Sequence, residues 1–222
     1  MNEGHRLAGR IDHSLLRPDA RDVDIAKLCE EAGRFGFHSV CVNPAFVKRV
    51  REVLSPSKVK VTTVIGFPLG MSISQVKTYE AMEAFMLGAD ELDIVMNIGY
   101  AKSGQWDEVE KELSAIVTAT PEAVHKIILE CCYLTDREKK KACEVVMRTG
   151  AEFIKTSTGF GSAGATVQDV ELIRSVTEGK LQVKAAGGIK TLKDAKQFFD
   201  AGAARLGTSA GVAIMEEAGA LH

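Results

Sequence analysis

The stretch Thr135-Asp136-Arg137-Glu138, running on through Ala142, Val145 and Val146 to Gly150-Ala151-Glu152-Phe153-Ile154-Lys155, decides the fold of this chain. The Thr135 hydroxyl and the Glu138 carboxylate form a capping box, each satisfying a backbone N–H that the first helical turn leaves without a partner. Ala142, Val145 and Val146 then hold one apolar face at helical spacing. Gly150 stands where a left-handed C-terminal cap belongs, and Glu152 to Lys155 reads as a strand that follows at once. The same helix stop recurs at Gly88-Ala89-Asp90 and Gly202-Ala203-Ala204.

Working outward, short apolar or β-branched runs appear at Arg10 to Asp12, Ser39 to Val42, Val59 to Ile65, Glu91 to Met96, Lys126 to Leu129, Glu152 to Lys155, Leu181 to Lys184 and Ala204 to Gly207. Continuous apolar character in runs this short suits parallel strands buried on both faces. Between them lie amphipathic segments: Ile25, Leu28, Cys29, Ala32 and Phe35 after Asp24, and Val109, Leu113, Ile116 and Val117 further on. No linker or low-complexity segment interrupts the repeat. Eight strand–helix units predict an α/β fold, a single-domain (β/α)8 TIM barrel over residues 1–222, with a doubly wound open sheet as the alternative.

Composition narrows the function classes. The chain has 222 residues, 45% of them hydrophobic, and a formal net charge of -2, so nothing marks it as a binder of nucleic acid or of membrane surfaces. The first residues carry no apolar signal core and the apolar runs are strand-length, which predicts a cytoplasmic protein. Five cysteines without a C-x-x-C pair read as reduced thiols, mostly small buried hydrophobes.

Two lysines sit where lysine is rare. Lys155 closes Phe153-Ile154-Lys155 and Lys184 follows Leu181-Gln182-Val183, each just before a turn. A second ammonium close to the first lowers its pKa, and a neutral amine can attack a carbonyl to form a Schiff base. A free lysine titrates near ~10.4; moving it to ~7 corresponds to ~4 to 5 kcal/mol. In a (β/α)8 barrel the catalytic groups lie at the C-terminal strand ends, and the unusual residues collect there: Asp12 and His13, Cys41 and Asn43, Asp93 and Asn97, Glu130, Lys155, Lys184, and Gly207 to Ser209. Asp93 reads as an ion-pair partner for a lysine, a proton carrier, or both. Glycine clusters at Ala185-Ala186-Gly187-Gly188 and Gly207-Thr208-Ser209-Ala210-Gly211 follow the last two strands, the frequent phosphate site of this fold.

Taken together, Ile11-Asp12-His13-Ser14-Leu15-Leu16, Val40-Cys41-Val42-Asn43-Pro44, Val64-Ile65-Gly66-Phe67-Pro68, Glu91-Leu92-Asp93-Ile94-Val95, Phe153-Ile154-Lys155-Thr156-Ser157-Thr158-Gly159-Phe160, Val183-Lys184-Ala185-Ala186-Gly187-Gly188-Ile189 and Leu206-Gly207-Thr208-Ser209 resemble the deoxyribose-phosphate aldolases, from Ile11 to about Gly211. The resemblance implies a class I aldolase, independent of metal and without a cofactor. Such an enzyme reversibly cleaves 2-deoxy-D-ribose 5-phosphate into acetaldehyde and D-glyceraldehyde 3-phosphate. It implies Lys155 as Schiff-base nucleophile, Lys184 as the lysine that perturbs it, and Asp93 as proton donor and acceptor. It also implies Asp12, Cys41 and Thr158 in the substrate pocket, and Gly159, Gly187, Gly188, Gly207 and Ser209 around the phosphate. It further suggests a homo-oligomer, a dimer or larger.

Two departures accompany the resemblance. Phe160 stands where some members have a lysine near the phosphate, with Lys190 as an alternative contact. The chain closes on Glu216 to His222 without the terminal tyrosine of some members, so final protonation of the enamine is expected to be slower or to use another donor. Competing readings are another phosphosugar aldolase or isomerase on the same barrel, with Asp93 or Glu130 as base, and a barrel that binds a sugar phosphate without turnover.

Overall fold

The computed structural model describes residues 3–219. Eight parallel strands close into a barrel in sequence order: β1 (Ile11–Leu15), β2 (Ser39–Val42), β3 (Lys60–Ile65), β4 (Glu91–Val95), β5 (Val124–Ile128), β6 (Phe153–Lys155), β7 (Gln182–Ala186) and β8 (Arg205–Thr208). Pairing of β8 with β1 closes the ring, which excludes the open sheet. The helices are α1 (Glu3–Ala8), α2 (Asp22–Phe35), α3 (Val47–Leu54), α4 (Ser74–Met86), α5 (Ile98–Lys102), α6 (Trp106–Ala119), α7 (Asp136–Thr149), α8 (Val167–Thr177), α9 (Leu192–Asp200) and α10 (Gly211–Glu217). No described helix is long and apolar enough to cross a membrane.

The expected strands are all present, with ends displaced by a few residues. The largest shift is in β1, which runs to Leu15 rather than stopping at Asp12, because its ladder with β2 continues through Ser14 opposite Cys41 and Leu15 opposite Val42. Asp12 therefore lies deep in the barrel and not at its mouth. At α7 the capping box forms as read: Thr135 Oγ1 accepts from the Glu138 N–H, and Glu138 Oε2 accepts from the Thr135 N–H at 2.7 Å. Gly150 ends that helix at φ 88°.

Alternation divides each strand between two environments. Leu92 and Ile94 of β4, Ile127 of β5, Ile154 of β6, Val183 and Ala185 of β7 and Leu206 of β8 join the helix faces in one continuous apolar core outside the barrel wall. Their neighbours Glu91, Asp93, Lys126, Lys155 and Lys184 are buried on the barrel axis. The hydrophobic layer that stabilises the fold is thus separate from the charged interior.

Candidate active site

The two lysines flagged in the sequence are direct neighbours across the β6–β7 ladder, Lys155 opposite Lys184. They do not simply face each other. Asp93 Oδ2 accepts a hydrogen bond from each Nζ at 2.7 Å, so one carboxylate oxygen bridges both ammonium groups. The opposite oxygen, Oδ1, accepts from Lys126 Nζ at 3.0 Å. Lys184 Nζ also lies 2.5 Å from Asp12 Oδ2, and Lys126 Nζ lies 2.6 Å from Glu91 Oε2. Arg205 Nη1 completes the floor, donating to Asp12 Oδ1 at 2.8 Å and reaching Glu91 Oε2 at 3.4 Å.

Ion pairing decides the charge state of this buried cluster. Burial alone raises the Asp93 carboxyl, but Lys126, Lys155 and Lys184 outweigh it and hold Asp93 well below the usual carboxylate range. For Asp12 burial again acts upward and is overcome by Lys184, Lys126 and Arg205; Glu91 is lowered against burial by Lys126 and His38. Burial acts to lower Lys184 and Lys126, yet the carboxylates win and raise both, Asp12 and Asp93 for Lys184, Asp93 and Glu91 for Lys126. Asp12, Glu91 and Asp93 are therefore anions, and Lys126, Lys184 and Arg205 already match them in number. Lys155 brings a fourth basic group to three carboxylates.

Above Lys155 opens a cavity of about 310 Å³ at the C-terminal end of the strands, lined by Thr158, Gly159, Gly187, Gly188, Gly207 and Ser209. Gly187 has φ 91°, a region that disfavours side chains, and a Cβ there would meet the Gly164 Cα at 3.0 Å. At Gly207 a Cβ would lie 2.9 Å from Lys184 Cε, so this glycine makes room for the lysine stem. Glu130, itself at φ 52°, accepts from the Thr158 N–H at 3.2 Å and from its hydroxyl, fixing the loop after β6. Lys190, Arg17 and Phe160 stand at the rim.

The remaining sequence candidates fall into three positions. Asp12, Cys41, Asp93 and Lys184 are fully buried beneath the cavity and not on its wall. Cys41 is no nucleophile there, since burial and Asp93 push its thiol up to about 11. His13 points outward and pairs with Glu31 at 2.8 Å; Asn43 donates to the Leu16 carbonyl and Asn97 caps α5. These three are structural because their β-strand parity or loop position turns them away from the axis. Asp12, His38 and Glu91 offer ligand atoms close enough for a cation. Both carboxylates, however, are already neutralised by the lysines and Arg205, which a metal would have to displace.

Comparison with known proteins matches residues 7–217 to the model of the DeoC/LacD family aldolases. The chain belongs to the DeoC/LacD aldolase family. A curated relative, deoxyribose-phosphate aldolase of Caldanaerobacter subterraneus subsp. tengcongensis, is 52% identical over 95% of this chain and 93% of its own length. The Thermococcus gammatolerans enzyme of the same name is 52% identical over 97% of both chains. Among solved structures, one described as QR15, an aldolase, superposes with a TM-score of 0.92 at 45% identity, covering 98% of this chain and 96% of that one. Another, described as the unique tetrameric structure of deoxyribose phosphate aldolase from Aeropyrum pernix, has a TM-score of 0.92 at 34% identity, covering 99% and 94%.

For this DeoC/LacD family aldolase, reading the sequence by strand ends missed Lys126 and Arg205. Arg205 opens β8, and Lys126 opens the apolar run Lys126 to Leu129 in the sequence, where a basic residue reads as solvent-facing; β5 in fact begins two residues earlier, at Val124. Parity was the available signal: Lys126 alternates with Ile128, and Arg205 with Gly207, onto the axis. Lys77 was also missed and is fully buried on α4, paired with Glu112 at 2.5 Å and donating to the Val95 carbonyl at 2.6 Å. It lies outside the cavity, so burial alone does not make a lysine of this aldolase part of the site. The expectation about the chain end falls partly on residues 220–222, which lie outside the described residues.

Proposed function

We propose that this carbon–carbon lyase cleaves 2-deoxy-D-ribose 5-phosphate reversibly into D-glyceraldehyde 3-phosphate and acetaldehyde, through a Schiff base on Lys155. The observation that carries the reading is the Lys155–Asp93–Lys184 bridge at the floor of a glycine-lined cavity. Lys155 is the member of the buried cluster that reaches the cavity. Its amine adds to the C1 carbonyl, and loss of water leaves a protonated imine at C1, adjacent to the saturated C2. Asp93, through a water, takes the C3 hydroxyl proton; the C2–C3 bond breaks, its electron pair enters the iminium as an enamine, and glyceraldehyde 3-phosphate departs. Protonation of the enamine at C2 and hydrolysis of the iminium release acetaldehyde and restore Lys155.

Lys184 stays charged in this scheme, held by Asp12 and Asp93, and the Asp93 carboxylate between the two nitrogens screens its repulsion of the forming iminium. The phosphate takes the loops with Gly159, Gly187, Gly188 and Ser209, where backbone N–H groups can donate to a closely approaching anion, and Lys190 and Arg17 supply rim charge. The isomerase and non-catalytic readings find no support in the aldolase relatives. Borohydride reduction with acetaldehyde is expected to add mass at Lys155; active enzyme left unlabelled there overturns the proposal.

We also assign the enzyme to the cytoplasm and to deoxyribonucleotide breakdown, on the family's activity and on five free cysteines. We infer a homo-oligomer of at least two copies. Leu69, Ile73, Tyr79 and Met86 on α4 and the loop before it are 64–70% exposed, joined by Met71 and Val76. At on the order of 100 Å² each, these six side chains reach the upper end of the ~300–600 Å² that the largest apolar patch of a typical monomer covers, and approach the ~800 Å² per partner of a stable interface. Light scattering of Tyr79→Glu at unchanged activity is expected to report dissociation; a monomeric parent protein refutes it.

A further inference from the structure

Lys126 is fully buried on β5 and touches no part of the cavity, yet it makes the closest contact to the side of Asp93 that the two other lysines leave free. We infer, resting on the Schiff-base reading above, that Lys126 is a positioning residue. By occupying Asp93 Oδ1 it leaves only Oδ2 to be shared by Lys155 and Lys184, so that Lys155 never holds a carboxylate of its own.

The geometry gives three reasons. First, Asp93 stands opposite Lys126 in the β4–β5 ladder, so the contact is set by strand register and does not depend on a flexible loop. Second, Lys126 is itself fixed from below by Glu91 at 2.6 Å, with Asp12 at 4.0 Å, and Glu91 is in turn held by His38 at 2.8 Å, Thr62 at 3.1 Å and Arg205 at 3.4 Å. The lysine cannot swing away without leaving Glu91 partly uncompensated. Third, the groups facing Lys155 are Asp93 from β4, Lys184 from β7 and the un-ionised Cys41 thiol from β2, so Asp93 supplies the anion in its direct contact. Competition for that carboxylate therefore controls how firmly Lys155 holds its proton. Without Lys126 the Asp93 carboxylate is free to turn both oxygens toward the cavity lysines, and a positive charge is removed from the cluster. Both changes favour the ammonium form of Lys155 over the amine.

The test compares Lys126→Met, Lys126→Gln and Lys126→Arg in the full chain by the pH dependence of kcat/KM, with the melting temperature of each variant as a fold control. The nucleophile must be a neutral amine, so the acidic limb of the profile is expected to move upward by about one pH unit or more in the Met variant. The shift should be smaller in the Gln variant, which keeps a donor to Asp93, and largely reversed in the Arg variant, which keeps donor and charge. Any folded Met or Gln variant with an unmoved acidic limb overturns the proposal, and if the Met variant does not fold the Gln–Arg pair decides it. A merely structural role would lower the melting temperature and leave the limb in place. Failure of the underlying Schiff-base reading is separately visible as absent borohydride labelling at Lys155 in the parent enzyme.

Discussion

Replacing Asp93 with Asn removes one negative charge from the point where three ammonium groups meet, at 2.7, 2.7 and 3.0 Å. The amide keeps the shape of the side chain, but its NH2 faces N–H donors and only one oxygen can still accept. Breaking a buried ion pair in this way costs ~3–5 kcal/mol, a large share of the ~5–15 kcal/mol that holds a domain together. For a chain of this length the melting temperature should fall by roughly 10 °C. Between about pH 6 and 9 the loss should be greatest at the acidic end and shrink as the pH rises, because one of the stranded ammonium groups can then relieve the repulsion by shedding its proton. If Asp93 also moves the C3 hydroxyl proton, turnover should drop by ~10²–10⁴. Calorimetry across pH 6 to 9 and a coupled assay for glyceraldehyde 3-phosphate release would measure both effects. An Asp93→Asn enzyme that melts with the parent protein and turns over within a few-fold of it would refute the account of the site.

Two further outcomes follow from the same cluster. Asp12, Glu91 and Asp93 are all held below their ordinary range in the fold, so their contribution is complete above about pH 4 and is lost as the pH falls below it. Glu91→Gln should therefore be less stable than the parent at pH 7, with the gap closing under acid in a circular-dichroism titration; a constant gap would refute this. In Gly207→Ala the new methyl meets Lys184 Cε at 2.9 Å, and the displaced lysine should lower kcat by at least tenfold with a smaller change in melting temperature; unchanged kcat would show that the lysine stem has room to spare.

How much of this was legible in advance varies by residue. The capping box at Thr135, the glycine stop at Gly150 and the short apolar runs reported the repeat faithfully, because each is a local backbone requirement met by residues close in sequence. Lys155, Lys184 and Asp93 were legible as well, since a charged residue inside an apolar run contradicts its surroundings. His13 misled, because it neighbours Asp12 in sequence but points to the opposite face of β1. Lys126 and Arg205 escaped notice because each opens or nearly opens its apolar run in the sequence, where a basic residue is unremarkable until the barrel closes over it.

The sequence by itself determined the order of strands and helices and the identity of the basic and acidic groups on the strands, through capping, alternation and the scarcity of charge in apolar runs. Only the tertiary structure decided who pairs with whom. Strand register sets Lys155 beside Lys184 and Asp93 beside Lys126, and closure of β8 on β1 brings Asp12 and Arg205 under the same floor. The charge state of each group is a sum over neighbours from different strands at ion-pair distance, and no local stretch of chain contains that sum.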